Sequence, residues 1–120
     1  MGVLPAWARG GFSDPKQRIA HVLGGSQRIV AILFGYPLLS PPSPRRSNKI
    51  LWVARRTPNA SPLKIRAQRM SGSSTLGAPV TRKVSGGPGP SIVNLPSPGC
   101  WRLSLHWSGR VDSLDLRYRQ

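Results

Sequence analysis

Hydrophobic and polar residues along this chain follow the patterns of β-strands. Residues 28–35 form a continuous run rich in isoleucine and valine, which predicts a strand buried on both faces. Residues 63–70 alternate between apolar and polar positions, which predicts a half-buried strand with a basic outer face. The segments that read as strands are 28–35, 49–55, 63–70, 79–84, 91–96, 100–107 and 113–119. Turns rich in Gly, Pro and Ser separate them, so we expect an all-β fold, a small immunoglobulin-like antiparallel β-sandwich of about seven short strands.

The chain has 120 residues, which is enough for one domain with a modest core. Residues 1–27 show no sustained period and are interpreted as an irregular N-terminal segment, with a weak helical pattern at 16–23. Residues 28–120 are assigned to the sandwich domain. The longest apolar run, 29–39, is too short to span a bilayer and contains Pro37, so no transmembrane segment is expected.

The last two predicted strands are expected to form a hairpin. Each strand has one apolar face, made of Trp101, Leu103, Leu105 and Trp107 on the first and of Leu114, Leu116 and Tyr118 on the second. Opposing residues of an antiparallel pair lie on the same side of a sheet, so the two apolar faces coincide. A four-residue loop at 108–111 meets this condition and places Leu105 opposite Leu114 and Arg102 opposite Arg117. A six-residue loop keeps the same parity, so the register stays open.

The charge balance is the most unusual property of the composition. Eighteen Lys and Arg residues face three acidic residues, for a formal net charge of +15. Such a field attracts nucleic acid, anionic lipid or other polyanions. A bias towards GC-rich codons is the alternative explanation, because arginine far outnumbers lysine. The candidate polyanion-binding residues are Arg45, Arg46, Lys49, Arg55, Arg56, Lys64, Arg66, Arg102, Arg117 and Arg119.

Cys100 is the single cysteine and the one candidate reactive thiol. Arg102 on the same strand face supplies a cation, but His106 lies about 20 Å along the strand and is too distant to act as a base. We therefore interpret Cys100 as a structural residue at a strand start. Asp112 and Asp115 are interpreted as ion-paired residues rather than as paired catalytic carboxylates. One Cys and two His do not make a structural zinc site, so neither a metal nor a cofactor is expected.

Three segments, "IVAILFGYPL", "SNKILWVAR" and "GGPGPSIVNLPSPGCWRLSLHWSGRVDSLDLRYR", carry a family resemblance. They resemble a family of uncharacterised actinobacterial exported or lipoprotein-like proteins, whose immunoglobulin-like β-sandwich has a Gly-Cys-Trp element at the start of its penultimate strand. The matching element here is Gly99-Cys100-Trp101. The resemblance implies the sandwich fold and an extracytoplasmic location, and it implies no established activity. The N-terminus has no signal peptide, so a chain complete as given is expected in the cytoplasm.

Two functional hypotheses follow from the sequence. The first is a non-enzymatic β-sandwich accessory or binding module of unknown ligand, from an exported bacterial protein. The alternative is a basic protein that binds nucleic acid or another polyanion. The salt dependence of nucleic-acid binding distinguishes them.

Overall fold

The computed structural model describes residues 4–8, 19–56 and 59–120. Most of these residues lie in nine strands, which form two sheets. The strands are β1 (His21–Leu23), β2 (Ile29–Leu33), β3 (Leu38–Leu39), β4 (Lys49–Ala54), β5 (Leu63–Ser71), β6 (Ser74–Val84), β7 (Pro90–Ile92), β8 (Gly99–Trp107) and β9 (Arg110–Arg119). One sheet has the order β1-β2-β4-β7 and the other has the order β3-β9-β8-β5-β6. A 3-10 turn, Ala6–Ala8, and an isolated bridge between Ser43 and Arg46 complete the elements of the described residues. The all-β prediction is confirmed, but its strand count was too low.

The main hydrophobic core lies between the two sheets. It combines inward side chains of β2 and β4 with inward side chains of β5, β8 and β9. Its largest members include Trp52, Trp101, Trp107 and Tyr118, all at most 2% exposed. Burial of an aromatic side chain of this size contributes about 4 kcal/mol or more of transfer free energy. The tryptophans that the strand patterns assigned to the core are therefore central to the sandwich.

Strand β2 is buried on both faces, as its continuous apolar sequence predicts. Ile29, Ala31 and Leu33 point into the core between the sheets. Val30 and Ile32 point the other way and pack against Leu4 and Ala8 of the N-terminal segment, which covers the outer face of the four-stranded sheet. An apolar outer face needs such a cover because exposed apolar area in water is unfavourable.

Strand β1 corrects the interpretation of residues 1–27 as irregular. His21–Leu23 pairs antiparallel with β2, with Val22 opposite Ala31, and so adds a strand to the four-stranded sheet. The end of the weak helical pattern at 16–23 is therefore a strand, and residues 16–18 lie outside the described residues. The edge of β2 that does not pair with β4 accounts for the difference. Backbone pairing with this edge overrides the weak helical preference of the segment.

The β8–β9 hairpin exists, but its expected loop was wrong by two residues. Trp107 pairs with Arg110, Leu103 with Leu114 and Trp101 with Leu116, so the loop is only Ser108-Gly109. Both loop residues have positive φ, 46° and 73°, as a tight hairpin turn that follows the twist of the strands requires. The shorter loop keeps the apolar faces together. It also places Arg102 opposite Asp115 instead of opposite a second arginine.

Two strands of the five-stranded sheet differ from the sequence expectation. Strand β3, which was not predicted, runs parallel to β9. The Asn48 side chain holds it in place, since its Oδ1 accepts the N–H of Leu39 and its Nδ2 donates to the carbonyl of Leu39, both at 2.8 Å. Strand β6 begins at Ser74, inside a segment expected to be a loop, because it pairs with the long strand β5 back to the turn at residues 72–73. Backbone pairing at a sheet edge extends this strand despite its polar sequence.

Candidate polyanion-binding surface

The outer face of the five-stranded sheet carries several of the predicted basic residues. Lys64 and Arg66 of β5 are exposed there, as the alternating pattern predicts. Lys64 lies directly opposite Lys83 of β6 on one side and opposite His106 of β8 on the other. Like charges directly opposite one another in a sheet are destabilising. A bound anion would relieve this repulsion.

Arg102 is on the same face but is already paired. Its Nε donates to Oδ1 of Asp115 at 3.0 Å and its Nη2 donates to Oδ2 at 3.3 Å. This hydrogen-bonded pair raises the pKa of the Arg102 guanidinium. The predicted pairing of Asp115 is confirmed, and Arg102 is consequently less available to an external anion than Lys64 or Arg66.

A second group of basic residues lies at the end of the sandwich that carries the β8–β9 turn. A concavity of about 260 Å³ is lined by Ser26, Gln27, Arg28, Arg55, Arg56 and Arg110. Backbone contacts bring these segments together, since the N–H of Arg55 donates to the carbonyl of Arg28 at 2.8 Å. The indole N–H of Trp107, the cross-strand partner of Arg110, donates to the carbonyl of Arg56 at 3.4 Å. Sequence reasoning found Arg55 and Arg56 but missed the other two arginines.

Asp112 holds one of the turns that line this arginine cluster, and, contrary to the expectation, it forms no ion pair with any of the described residues. It is buried on the inner face of β9, and its carboxylate accepts the backbone N–H of Ser26 at 2.8 Å and of Arg28 at 2.9 Å. A third bond comes from the N–H of Ser113 at 2.8 Å. Both carboxylate oxygens are thus used in holding the turn between β1 and β2 against β9. The third acidic residue of the chain, Asp14, lies outside the described residues.

The two basic regions adjoin one another at Arg110. Arg110 also lines a second concavity of about 480 Å³, which contains Lys64 and His106. These two residues line a third concavity of about 420 Å³ as well, together with Arg66 and Lys83. We call this surface the basic track; it consists of Arg28, Arg55, Arg56, Arg110, Lys64, His106, Arg66 and Lys83. Among the described residues that line the three concavities, none is Asp or Glu.

The remaining predicted basic residues lie away from the basic track. Arg45 and Arg46 are in the loop before β4, at the end of that strand opposite to Arg55, and the Arg46 Nη2 donates to the carbonyl of Pro37 at 3.1 Å. The Lys49 Nζ lies 5.8 Å from the centre of the Phe34 ring. The last two members of the predicted set, Arg117 and Arg119, are exposed near the C-terminal end of β9.

Cys100 is exposed at the start of β8. Its cross-strand partners are Met70 and Arg117, and His106 is six residues further along the same strand. The neighbouring Trp101 is buried, and its indole N–H donates to the carbonyl of Ser97 at 2.9 Å. The strand start is therefore positioned by Trp101, and the structural interpretation of Cys100 itself stays a prediction.

The described residues were searched for membrane-spanning helices and for metal-binding side chains. Residues 4–8, 19–56 and 59–120 contain no helix with the length and apolar character to cross a bilayer. The same residues contain no group of three or more His, Cys, Asp or Glu side chains placed to hold a metal ion.

The resemblance to actinobacterial exported proteins remains a prediction. Protein-family models, curated proteins and solved structures show no match to the chain.

Proposed function

We propose that this protein is a non-enzymatic β-sandwich binding module whose basic track holds the phosphate backbone of a nucleic acid. The observation that carries this proposal is that three neighbouring concavities share cationic lining residues and have no acidic side chain among their described lining residues. An elongated surface of this kind suits an extended polyanion. Its arginines favour phosphate, because the guanidinium group matches the geometry of phosphate oxygens.

The surface chemistry supports binding that is independent of nucleotide sequence. Base recognition on single strands uses exposed aromatic side chains as stacking platforms. Among the described Phe, Tyr and Trp residues, Trp107 is the one that lines these concavities, and it is only 2% exposed. The exposed aromatics Phe34 and Tyr36 lie just after β2, outside those concavities. Contacts are therefore expected mainly to phosphates, which position a nucleic acid without reading its sequence.

The proposal includes an immunoglobulin-like topology for the sandwich. In that fold, strands B and E are neighbours in one sheet and strands C, F and G are neighbours in the other. Here β4 and β7 correspond to the first pair, and β5, β8 and β9 correspond to the second group. Strands β2 and β3 share the role of the first strand, one in each sheet. In the four-stranded sheet, β7 is the edge strand of the described residues, so no strand takes the place of D beside it. Strand β1 extends the opposite edge of the same sheet.

The salt dependence of nucleic-acid binding tests the proposed function. Fluorescence anisotropy with labelled duplex and single-stranded DNA of several sequences gives the affinity over a series of salt concentrations. If about five phosphates are contacted, the plot of log K against log salt for duplex DNA has a slope of about −4.5. We expect similar affinities for unrelated sequences of one length. Absence of binding at low salt would overturn the proposal.

A matched pair of variants separates the basic track from net charge. Lys64→Gln with Lys83→Gln removes two charges from the track, and Arg45→Gln with Arg46→Gln removes two charges from the opposite end of the sandwich. All four residues are exposed, so both proteins are expected to fold. The first variant should make the slope less steep by about 2, and the second should leave it nearly unchanged. Equal weakening in both variants would show that total charge, and not the track, attracts DNA.

A further inference from the structure

We propose that the arginine cluster at the end of the basic track is a site for a compact phosphate group with at least two negative charges. The shared chemistry is that of a terminal phosphate of a nucleic acid or of a free pyrophosphate. The terminal-phosphate form rests on the proposed function, whereas the pyrophosphate form does not. The site consists of Arg28, Arg55, Arg56 and Arg110 around the turn at residues 26–27.

The cluster concentrates positive charge, and none of its arginines forms an ion pair with a described residue. Within the described residues the structure shows one ion pair, between Arg102 and Asp115, which is not in the cluster. Asp112, the nearest carboxylate along the chain, directs both oxygens to backbone N–H groups of the neighbouring turn and strand. The four guanidinium groups thus outnumber the one nearby carboxylate, and the excess of positive charge attracts an external anion. A ligand with one negative charge would leave most of that charge uncompensated.

Arg110 provides an independent indication of a ligand. Its Nε is buried and has no hydrogen-bond partner among the described residues. Buried donors are normally paired, so an unpaired one points to an ordered water or a bound ion. The Arg28 guanidinium is held close to Arg110, because its Nη1 donates to the carbonyl of the next residue, Val111, at 3.3 Å. Because the Nε is buried, the Arg110 side chain must turn towards the concavity before a phosphate oxygen there can accept its N–H.

The size of the concavity limits what it can hold. Its volume of about 260 Å³ is below the 300–1,000 Å³ that is typical for pockets of drug-sized ligands. Ser26 and Gln27 form its remaining lining, so the walls are polar and charged. A single phosphate or a pyrophosphate fits this description better than a nucleobase, which needs an apolar or aromatic surface.

Two oligonucleotides that differ in one group provide the test. A 5′-phosphorylated single strand and the same strand with a 5′-hydroxyl are titrated against the full chain, and pyrophosphate is titrated separately by calorimetry at constant ionic strength. We expect the 5′-phosphate to strengthen binding about tenfold, as one or more added charge-assisted hydrogen bonds imply. Arg110→Gln should abolish this difference and the binding of pyrophosphate. Arg45→Gln, at the opposite end of the sandwich, should preserve both.

The outcomes separate the site from the proposed function. Equal binding of the two strands without binding of pyrophosphate overturns the site and leaves the proposed function intact. Pyrophosphate binding that depends on Arg110, with neither strand bound, supports the site for a free phosphate compound and overturns nucleic-acid binding. If Arg110→Gln fails to fold, Arg56→Gln gives the same test in an exposed segment. Pyrophosphate binding unaffected by the tested cluster variant overturns the site.

Discussion

Removal of the Asp112 carboxylate is expected to lower the free energy of unfolding by about 3 kcal/mol. Asp112→Ala deletes the acceptor of the N–H groups of Ser26 and Arg28, at 2.8 and 2.9 Å, and so releases the turn between β1 and β2 from β9. A hydrogen bond to a charged group contributes about 1.5–3 kcal/mol. Two such bonds give an upper range of about 3–6 kcal/mol, and entry of water at the truncated site reduces the loss towards about 3 kcal/mol.

Urea denaturation followed by tryptophan fluorescence measures this change. With a slope of about 1.5 kcal/mol per molar urea, the midpoint falls by about 2 M. Asp115→Ala is the matched control on the same strand, because Asp115 is exposed and an exposed, solvent-screened ion pair such as the one with Arg102 stabilises a protein little. If Asp112→Ala destabilises the protein no more than Asp115→Ala, the Asp112 carboxylate does not hold the turn between β1 and β2.

Two further predictions concern single residues of the last two strands. Burial raises the pKa of Tyr118 above its unfolded-state value, and its hydroxyl donates to the carbonyl of Val93 at 2.6 Å. The free energy of unfolding should therefore fall by about 1.4 kcal/mol per pH unit once the pH exceeds about 10. Denaturation at pH 9–11 measures this fall, and Tyr118→Phe should not show it. A parallel decline in both proteins would contradict the role of Tyr118. Gly109→Ala should cost about 1 kcal/mol, because φ is 73° with no atom near the added Cβ. Gly89→Ala, without a positive φ, should be nearly neutral in thermal denaturation, and equal effects would argue against strain at the turn.

The local pattern of the sequence was sufficient for strands whose burial it encodes directly. The uninterrupted apolar run of β2 predicted burial on both faces, and the alternation in β5 predicted Lys64 and Arg66 outside. The hairpin register was not recoverable in the same way, because a four-residue and a two-residue loop keep the same parity. The deciding feature is the positive φ of Ser108, a conformation that serine adopts only in a favourable context. The cross-strand pairing of Arg102 with Asp115 also favours the shorter loop.

The candidate site was harder to predict than the strands. Arg28, Arg56 and Arg110 are distant in sequence and meet only because the turns of both sheets lie at one end of the sandwich. One signal for this region was present in the sequence. Asp112 has the same parity as Leu114 in β9, so the pattern places a carboxylate on the inner face. An inward carboxylate requires buried donors, and here the donors are the N–H groups that position the arginine cluster.

The two outer faces of the sandwich differ in a way that fixes how the molecule meets a charged surface. The N-terminal segment with Leu4 and Ala8 seals the outer side of the four-stranded sheet, whereas Lys64, Lys83 and Arg66 leave the outer side of the five-stranded sheet cationic. The outer side of the five-stranded sheet therefore carries a row of cations, whereas apolar contacts cover Val30 and Ile32 on the outer side of the other sheet. On an anionic support the molecule should adsorb with the five-stranded sheet facing the support, so that a dye attached to that sheet is shielded from a soluble quencher and a dye attached to the four-stranded sheet remains accessible.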